Sequence, residues 1–239
     1  MQPVYWTTQT IANLPLETSW LSPEEQTTLS SLRFPKRRND WLLGRWTAKY
    51  LLRLVVETCK NCSPSAITIQ RTESGAPAVL LNNLPVPGTL TLSHREELGC
   101  AAWISDPSLR IGIDLEAIET KPRSFISDYF TPAEIQLVQS LTPAQFPLAA
   151  SLLWSAKEAV LKALGVGLSI DTRQVEIHCP SFSIPDDWQP LIITQCPLES
   201  STEQALWWRT IKGELVTLAI LGDEAKMLSI EYRTSMDLD

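Results

Sequence analysis

Two short segments limit what this chain can become: residues 112–116 and residues 154–162. Gly112-Ile113-Asp114-Leu115-Glu116 lies in a run, 109–118, whose apolar residues suit a strand. The two-residue period of a strand puts the carboxylates of Asp114 and Glu116 on one face. In the second segment Leu152, Leu153, Ala156, Val160, Ala163 and Leu164 recur at helical spacing, and no Pro or Gly interrupts before Gly165. Glu158 and Lys162, four apart, therefore share one side of a helix. If that helix packs beside the strand end, three carboxylates converge. Like charges so close need a partner, and a hard divalent cation with oxygen ligands is the natural one. Each piece has an ordinary counterpart: an Asp-x-Glu at a strand end is commonly a solvated edge, and a Glu-x-x-x-Lys is commonly a surface pair.

The remaining chain supplies a core and a local charge contrast. With 239 residues, 44 % of them hydrophobic, there is material for one large domain or two small ones. The first residues lack a basic region followed by an apolar run, and no segment reaches membrane-spanning length, so a soluble, cytoplasmic protein without a membrane partner is expected. Five cysteines, an odd number, argue against a disulfide framework, and Cys59-x-x-Cys62 with only two histidines in the chain is a weak zinc or redox signal. The net charge of −7 speaks against nucleic acid as a partner. Arg33, Lys36, Arg37, Arg38, Arg45, Lys49 and Arg53, however, crowd a window whose only acid is Asp40. Such a patch on an acidic molecule suits a small polyanion or an acidic protein.

In chain order, residues 3–8 read as a strand. Ser22, Pro23 and Glu25 open a helix as cap, first position and capping-box acid. A second helix covers 39–58, with Trp41, Leu42, Trp46, Ala48, Leu52 and Val55 toward one side. Residues 66–71 form a strand, followed by a Gly- and Pro-bearing turn at 72–77. Residues 90–93 and 98–104 read as two strands of a meander that runs on into the strand of Asp114, with Ser93-His94 at the first turn. Thr131 and Glu134 make another capping box, Gly165 and Gly167 end the long helix, and several strands fill 175–232.

Taken with Lys162, Gly112-Ile113-Asp114-Leu115-Glu116 and Trp154-Ser155-Ala156-Lys157-Glu158 resemble the signature of the 4′-phosphopantetheinyl transferases, specifically the longer type that serves nonribosomal peptide and polyketide synthetases. Arg33-Phe34, Gly75-x-Pro77, Leu92-Ser93-His94 and Phe130-Thr131-Pro132-Ala133-Glu134 match in the same order, so the resemblance covers most of the chain. It implies transfer of the phosphopantetheine arm of coenzyme A to a serine of an apo acyl or peptidyl carrier protein, with release of adenosine 3′,5′-bisphosphate. By the same resemblance Asp114, Glu116 and Glu158 hold Mg²⁺, and Glu158, Lys162 and Glu134 are the catalytic candidates. Arg45, Lys49, Lys36, Arg37, Arg38, Ser93 and His94 are the candidates for holding coenzyme A. The family usually has Lys, contacting a phosphate of coenzyme A, where Ala76 stands, and the basic window is the candidate substitute for that contact. Two rivals stay open: a module that binds coenzyme A or a carrier without modifying it, and another metal-dependent phosphoryl enzyme such as a phosphodiesterase, for which two histidines are a poor supply.

The chain also resembles itself. Trp46-Thr47-Ala48-Lys49-Tyr50 matches Trp154-Ser155-Ala156-Lys157-Glu158, and residues 98–116 can be laid on 215–233. The expected fold is therefore α+β, two similar halves in tandem related by a pseudo-twofold, each a small, mainly antiparallel sheet packed with a long helix. The halves are 1–112, with the coenzyme A contacts, and 113–239, with the acids and the catalytic helix. Under the repeat Tyr50, Glu231 and Arg233 take the places of Glu158, Asp114 and Glu116, so a single metal site between the halves is expected, and a monomer.

Overall fold

The computed structural model describes residues 3–198 and 201–234. In chain order its elements are β1 (Val4–Thr10), α1 (Pro23–Ser31), α2 (Pro35–Val55), β2 (Ile67–Arg71), β3 (Pro77–Leu81), β4 (Leu84–Pro85), β5 (Thr89–Arg95), β6 (Leu98–Ile104) and β7 (Arg110–Ala117). There follow α3 (Arg123–Tyr129), α4 (Pro132–Ser140), α5 (Phe146–Leu164), β8 (Glu176–His178), β9 (Gln189–Gln195), β10 (Gln204–Ile211), β11 (Glu214–Leu221) and β12 (Ile230–Tyr232). The fold is α+β, and it divides into two compact units. One comprises the described residues up to Ser108 and from Leu228 onward; the other is Leu109–Met227. The expected boundary at 112/113 would cut β7 in two, and the strand near the end of the chain belongs with the first unit. The outermost positions of the expected halves, 1–2 and 235–239, lie outside the described residues.

In the first unit a four-stranded sheet runs β12-β1-β6-β5, with β1 and β12 parallel and the other neighbours antiparallel, and a small sheet runs β2-β3-β4. Every residue of β6 is buried. Ala48, Leu51 and Leu52 of α2 pack with Ala101 and Trp103 of β6 and with Ile67 and Ile69 of β2. Helix α2 starts before the expected Asn39, because Pro35 is well suited to a first helical position. The expected meander is corrected: β5 and β6 pair, but β6 already has β1 on its other side, so β7 cannot add there and pairs with β11. Ser93 and His94 lie inside β5, not at its turn.

In the second unit a sheet runs β7-β11-β10-β9-β8, all neighbours antiparallel. Helix α5 lies on β7 and β11 and contributes nearly half of a core that also holds Trp208, Leu215 and Ala219. Gly165 ends it in the left-handed region (φ 72°), its N–H donating to the Leu161 and Lys162 carbonyls. Gly112 sets how closely α5 can lie on β7. A Cβ there would stand 1.9 Å from the Ala159 carbonyl oxygen and 2.6 Å from the Ala163 nitrogen, both helix backbone.

The units share one buried arrangement. In the first, Ser22 caps α1, and the Glu25 carboxylate accepts from the Ser22 N–H (3.0 Å), the Ile69 N–H (3.0 Å) and the Lys49 ammonium. In the second, Thr131 caps α4, and Glu134 accepts from the Thr131 N–H (2.8 Å), the Ile177 N–H (2.9 Å) and Lys157 (2.8 Å). Each lysine also donates to two backbone carbonyls: Lys49 to Trp20 and Pro64, Lys157 to Thr172 and Val175. A cap, a long helix and a strand are thus tied by one ion pair in each unit.

Gly112→Ala is expected to lower unfolding stability by about 3 kcal/mol, because backbone must move. Gly99→Ala, whose Cβ would meet the side chains of Thr47 and Leu43, should cost less. Urea unfolding of both variants checks this, and equal losses would contradict it.

Candidate active site

The even-numbered residues of β7 face α5, and α5 answers with Ser151, Ser155, Glu158 and Lys162, which follow one another along one side of the helix. Asp114 is 2 % exposed. Its Oδ1 accepts from Lys162 Nζ (2.6 Å) and its Oδ2 from Ser155 Oγ (2.8 Å), while Lys162 also donates to the Ile113 carbonyl (3.1 Å). Thr217, opposite Asp114 on β11, donates to the Ser155 carbonyl (2.9 Å) and meets the Ser155 hydroxyl at 2.8 Å. Glu158 is half-buried and hydrogen-bonded to Asp114. Glu116 Oε1 accepts from the Ala117 N–H (2.9 Å) and lies 3.5 Å from the ammonium of Lys121, whose nearer partner is Glu119 at 2.8 Å.

Burial would raise Asp114, but the Lys162 ammonium and the donors Ser155 and Glu158 outweigh it and hold the carboxyl below its ordinary value. Glu158 goes the other way. Burial, the charge and hydrogen bond of Asp114, and the charge of Glu116 push it to about 8, with Lys162 opposing. The metal-free cluster therefore keeps a proton on Glu158 at neutral pH and lends its hydrogen bond to Asp114.

The three predicted metal ligands come together within one unit, on β7 and α5, rather than between halves. They do not form a ready cage: among the described residues no group of three His, Cys, Asp or Glu side chains is placed to hold one ion. Asp114 is engaged by Lys162, and Glu116 by Lys121. The donor chemistry still fits a hard divalent cation, since three carboxyl groups stand near enough to perturb one another and the third is neutralised by a proton.

Two predicted site residues are engaged in buried ion pairs. Lys49 is fully buried in its ion pair with Glu25, a position that leaves no face for a ligand. Glu134 is 1 % exposed, and its carboxylate is spent on a helix cap, the Ile177 N–H and Lys157. Burial raises Glu134 and lowers Lys157, and each charge opposes the shift of the other. Of the other first-unit candidates, Lys36, Arg37 and His94 are exposed. The His94 ring comes within 4.0 Å of the space above Gly44 of α2. Arg38 donates to the Leu29 carbonyl at the end of α1 (3.1 Å). The Arg45 guanidinium lies 4.7 Å from the Trp41 ring centre. Ser93 is buried at 7 % exposure.

Ser155, Thr217 and Lys121 were not foreseen. A serine at one-turn intervals on the acid-bearing side of an otherwise apolar helix, Ser151 then Ser155, was the available signal. Thr217 and Lys121 come from segments whose place against the acids no spacing encodes.

Comparison with known proteins bears on the same residues. The stretch 110–205, which holds β7 and α5, matches the family described as the 4′-phosphopantetheinyl transferase superfamily. An L-aminoadipate-semialdehyde dehydrogenase-phosphopantetheinyl transferase of Schizosaccharomyces pombe is 35 % identical over 49 % of this chain and 50 % of its own length. A protein of the same description from Rattus norvegicus is 26 % identical over 77 % of this chain and 63 % of its own. A phosphopantetheinyl transferase of Thraustochytrium is 28 % identical over 70 % and 58 %. The chain thus spans between about half and under two thirds of the length of these relatives.

Two outcomes are expected. Lys49→Ala leaves Glu25 buried without its cation and should cost about 3–5 kcal/mol in chemical denaturation. A carboxyl raised on folding stabilises fully below its unfolded value of 4.5, and that contribution is lost as pH rises toward about 8. In chelator, Glu158→Gln should therefore gain about 2–4 kcal/mol over the parent between pH 5 and pH 8, read from melting curves across that range. Asp114 acts in the opposite sense and only in acid, below 3.8.

Proposed function

We propose that this chain transfers the 4′-phosphopantetheine arm of coenzyme A to a serine hydroxyl of an apo acyl or peptidyl carrier protein. The observation that carries the reading is the convergence of Asp114, Glu116, Glu158 and Lys162 on one strand and one helix inside the span matched by the superfamily. In the reaction the serine oxygen forms a bond to the phosphorus of the pantetheine phosphate. The bond from that phosphorus to the nucleotide side breaks, releasing adenosine 3′,5′-bisphosphate, and the serine gives up its proton.

Asp114, Glu116 and Glu158 would hold Mg²⁺, which when bound supplies positive charge against the pyrophosphate. The chain's own residues do the rest. Lys162 orients Asp114, and its side chain, 31 % exposed, keeps access to the transferring phosphate. Ser155 and Thr217 fix the other Asp114 oxygen. Glu158 is the candidate base for the serine proton in its ionised form, the form it would take as a ligand of the ion. In the first unit Arg45, Lys36, Arg37, Arg38, Ser93 and His94 are the candidates for holding the nucleotide, with Lys49 supporting α2 from its buried pair with Glu25. The location is taken as cytoplasmic and the state as monomeric; among the described residues no helix is long and apolar enough to cross a membrane.

The protein is incubated with coenzyme A, Mg²⁺ and several apo carriers, and the carriers are weighed. A gain of one phosphopantetheine arm is expected, with Asp114→Asn and Glu158→Gln slower by about 10²–10³-fold while remaining folded. Coenzyme A bound without any gain of mass would instead make the chain a binding module.

A further inference from the structure

Lys121 lies between β7 and α3, in a stretch with no part in the expected machinery. Its residue exposure is 8 %, low for a lysine. Two carboxylates hold it: Glu119 at 2.8 Å and, at 3.5 Å, the same Glu116 oxygen that accepts from the Ala117 N–H. The Phe125 ring closes another side, its centre 5.6 Å from the ammonium. Glu116 and Asp114 thus each face a lysine, but the two lysines differ. Lys162 comes from the helix that carries Glu158, whereas Lys121 sits on the connection leaving the strand.

We infer that Lys121 is a positioning residue and resident countercharge of Glu116, which a divalent cation must oppose in order to bind, so that Lys121 sets the affinity of the acid cluster for the ion. The inference rests on the reading of Asp114, Glu116 and Glu158 as metal ligands. A fixed positive charge a few ångströms from a ligand oxygen, shielded from water, repels any second cation at that oxygen. Being partly shared with Glu119, it yields Glu116 more readily than a lysine devoted to it would. The cluster would then stay nearly balanced when empty and take up the ion weakly.

The probe is Mn²⁺ alone, without coenzyme A or carrier, its free concentration followed by electron paramagnetic resonance during titration of the full chain. Lys121→Met, which keeps the buried stem and removes the charge, is expected to bind Mn²⁺ about tenfold more tightly than the parent. Lys121→Arg should stay within about twofold of it, and Asp114→Asn should bind far more weakly. Unchanged or weaker binding by Lys121→Met, with the parent binding normally, overturns the role of Lys121 and leaves the metal cluster standing. An equal gain in Lys121→Met and Lys121→Arg also overturns it, since shape and not charge would then be responsible. A parent that binds no Mn²⁺ overturns both. Because the expected change is a gain, a variant damaged in folding cannot imitate it.

Discussion

The close seating of α5 on β7 is the constraint from which the site follows. Helices usually stand off a sheet by the thickness of their side chains. At Gly112 that spacer is missing, and the helix backbone at Ala159 and Ala163 comes down onto the strand. The consequence is local and chemical: the short side chain of Ser155 reaches Asp114, and Lys162 bends back to it from one turn beyond Ala159. A residue with a Cβ at 112 would lift the helix and spread these groups apart. Burial of the acids is tied to the same seating: it raises both Asp114 and Glu158, and the Lys162 ammonium with the Ser155 and Glu158 hydrogen bonds is what turns Asp114 the other way.

A second device, used once per unit, supports this arrangement from outside. The Glu134–Lys157 pair joins the start of α4, the middle of α5 and the first residues of β8. Lys157 neighbours Glu158 along α5 but points into protein, where backbone carbonyls complete its shell. Glu25 and Lys49 repeat the pattern with α1, α2 and β2. Buried ion pairs of this kind contribute modest net stability but penalise any alternative placement of their partners. They therefore fix the helices in register. The shared Trp-x-Ala-Lys words mark an anchor common to both units, and the units differ at the residue after it: Glu158 in one and Tyr50 in the other.

Much of this was readable in the chain. Hydrophobic period found α2, α5 and most strands. The capping words Ser22-Pro23 and Thr131-Pro132 marked two helix starts to the residue, and the two-residue spacing of Asp114 and Glu116 placed them together. What failed was pairing and partnership. Nothing local tells β7 that β6 is already flanked by β1, because that neighbour lies about a hundred residues back in the chain. The buried pairing of Lys49 and of Glu134 was hidden for a related reason: a charged side chain shows its type in the sequence, but whether it meets water or a buried opposite charge depends on distant segments. Spacing brought the three acids to one strand and one helix, but the engagement of Glu116 by Lys121 and of Asp114 by Lys162 depends on side-chain geometry that spacing does not carry.

Strand β12 has a consequence for the order of assembly. β1 is flanked by β6 and by β12, and the second of these partners is separated from it by nearly the whole chain. During synthesis all of Leu109–Met227 emerges before the segment that covers the open edge of β1. The continuous unit therefore has all its segments before the other gains the strand that pairs with the second edge of β1. Thr7 and Thr8, which bond Arg233 and Tyr232, remain wet until that late segment arrives.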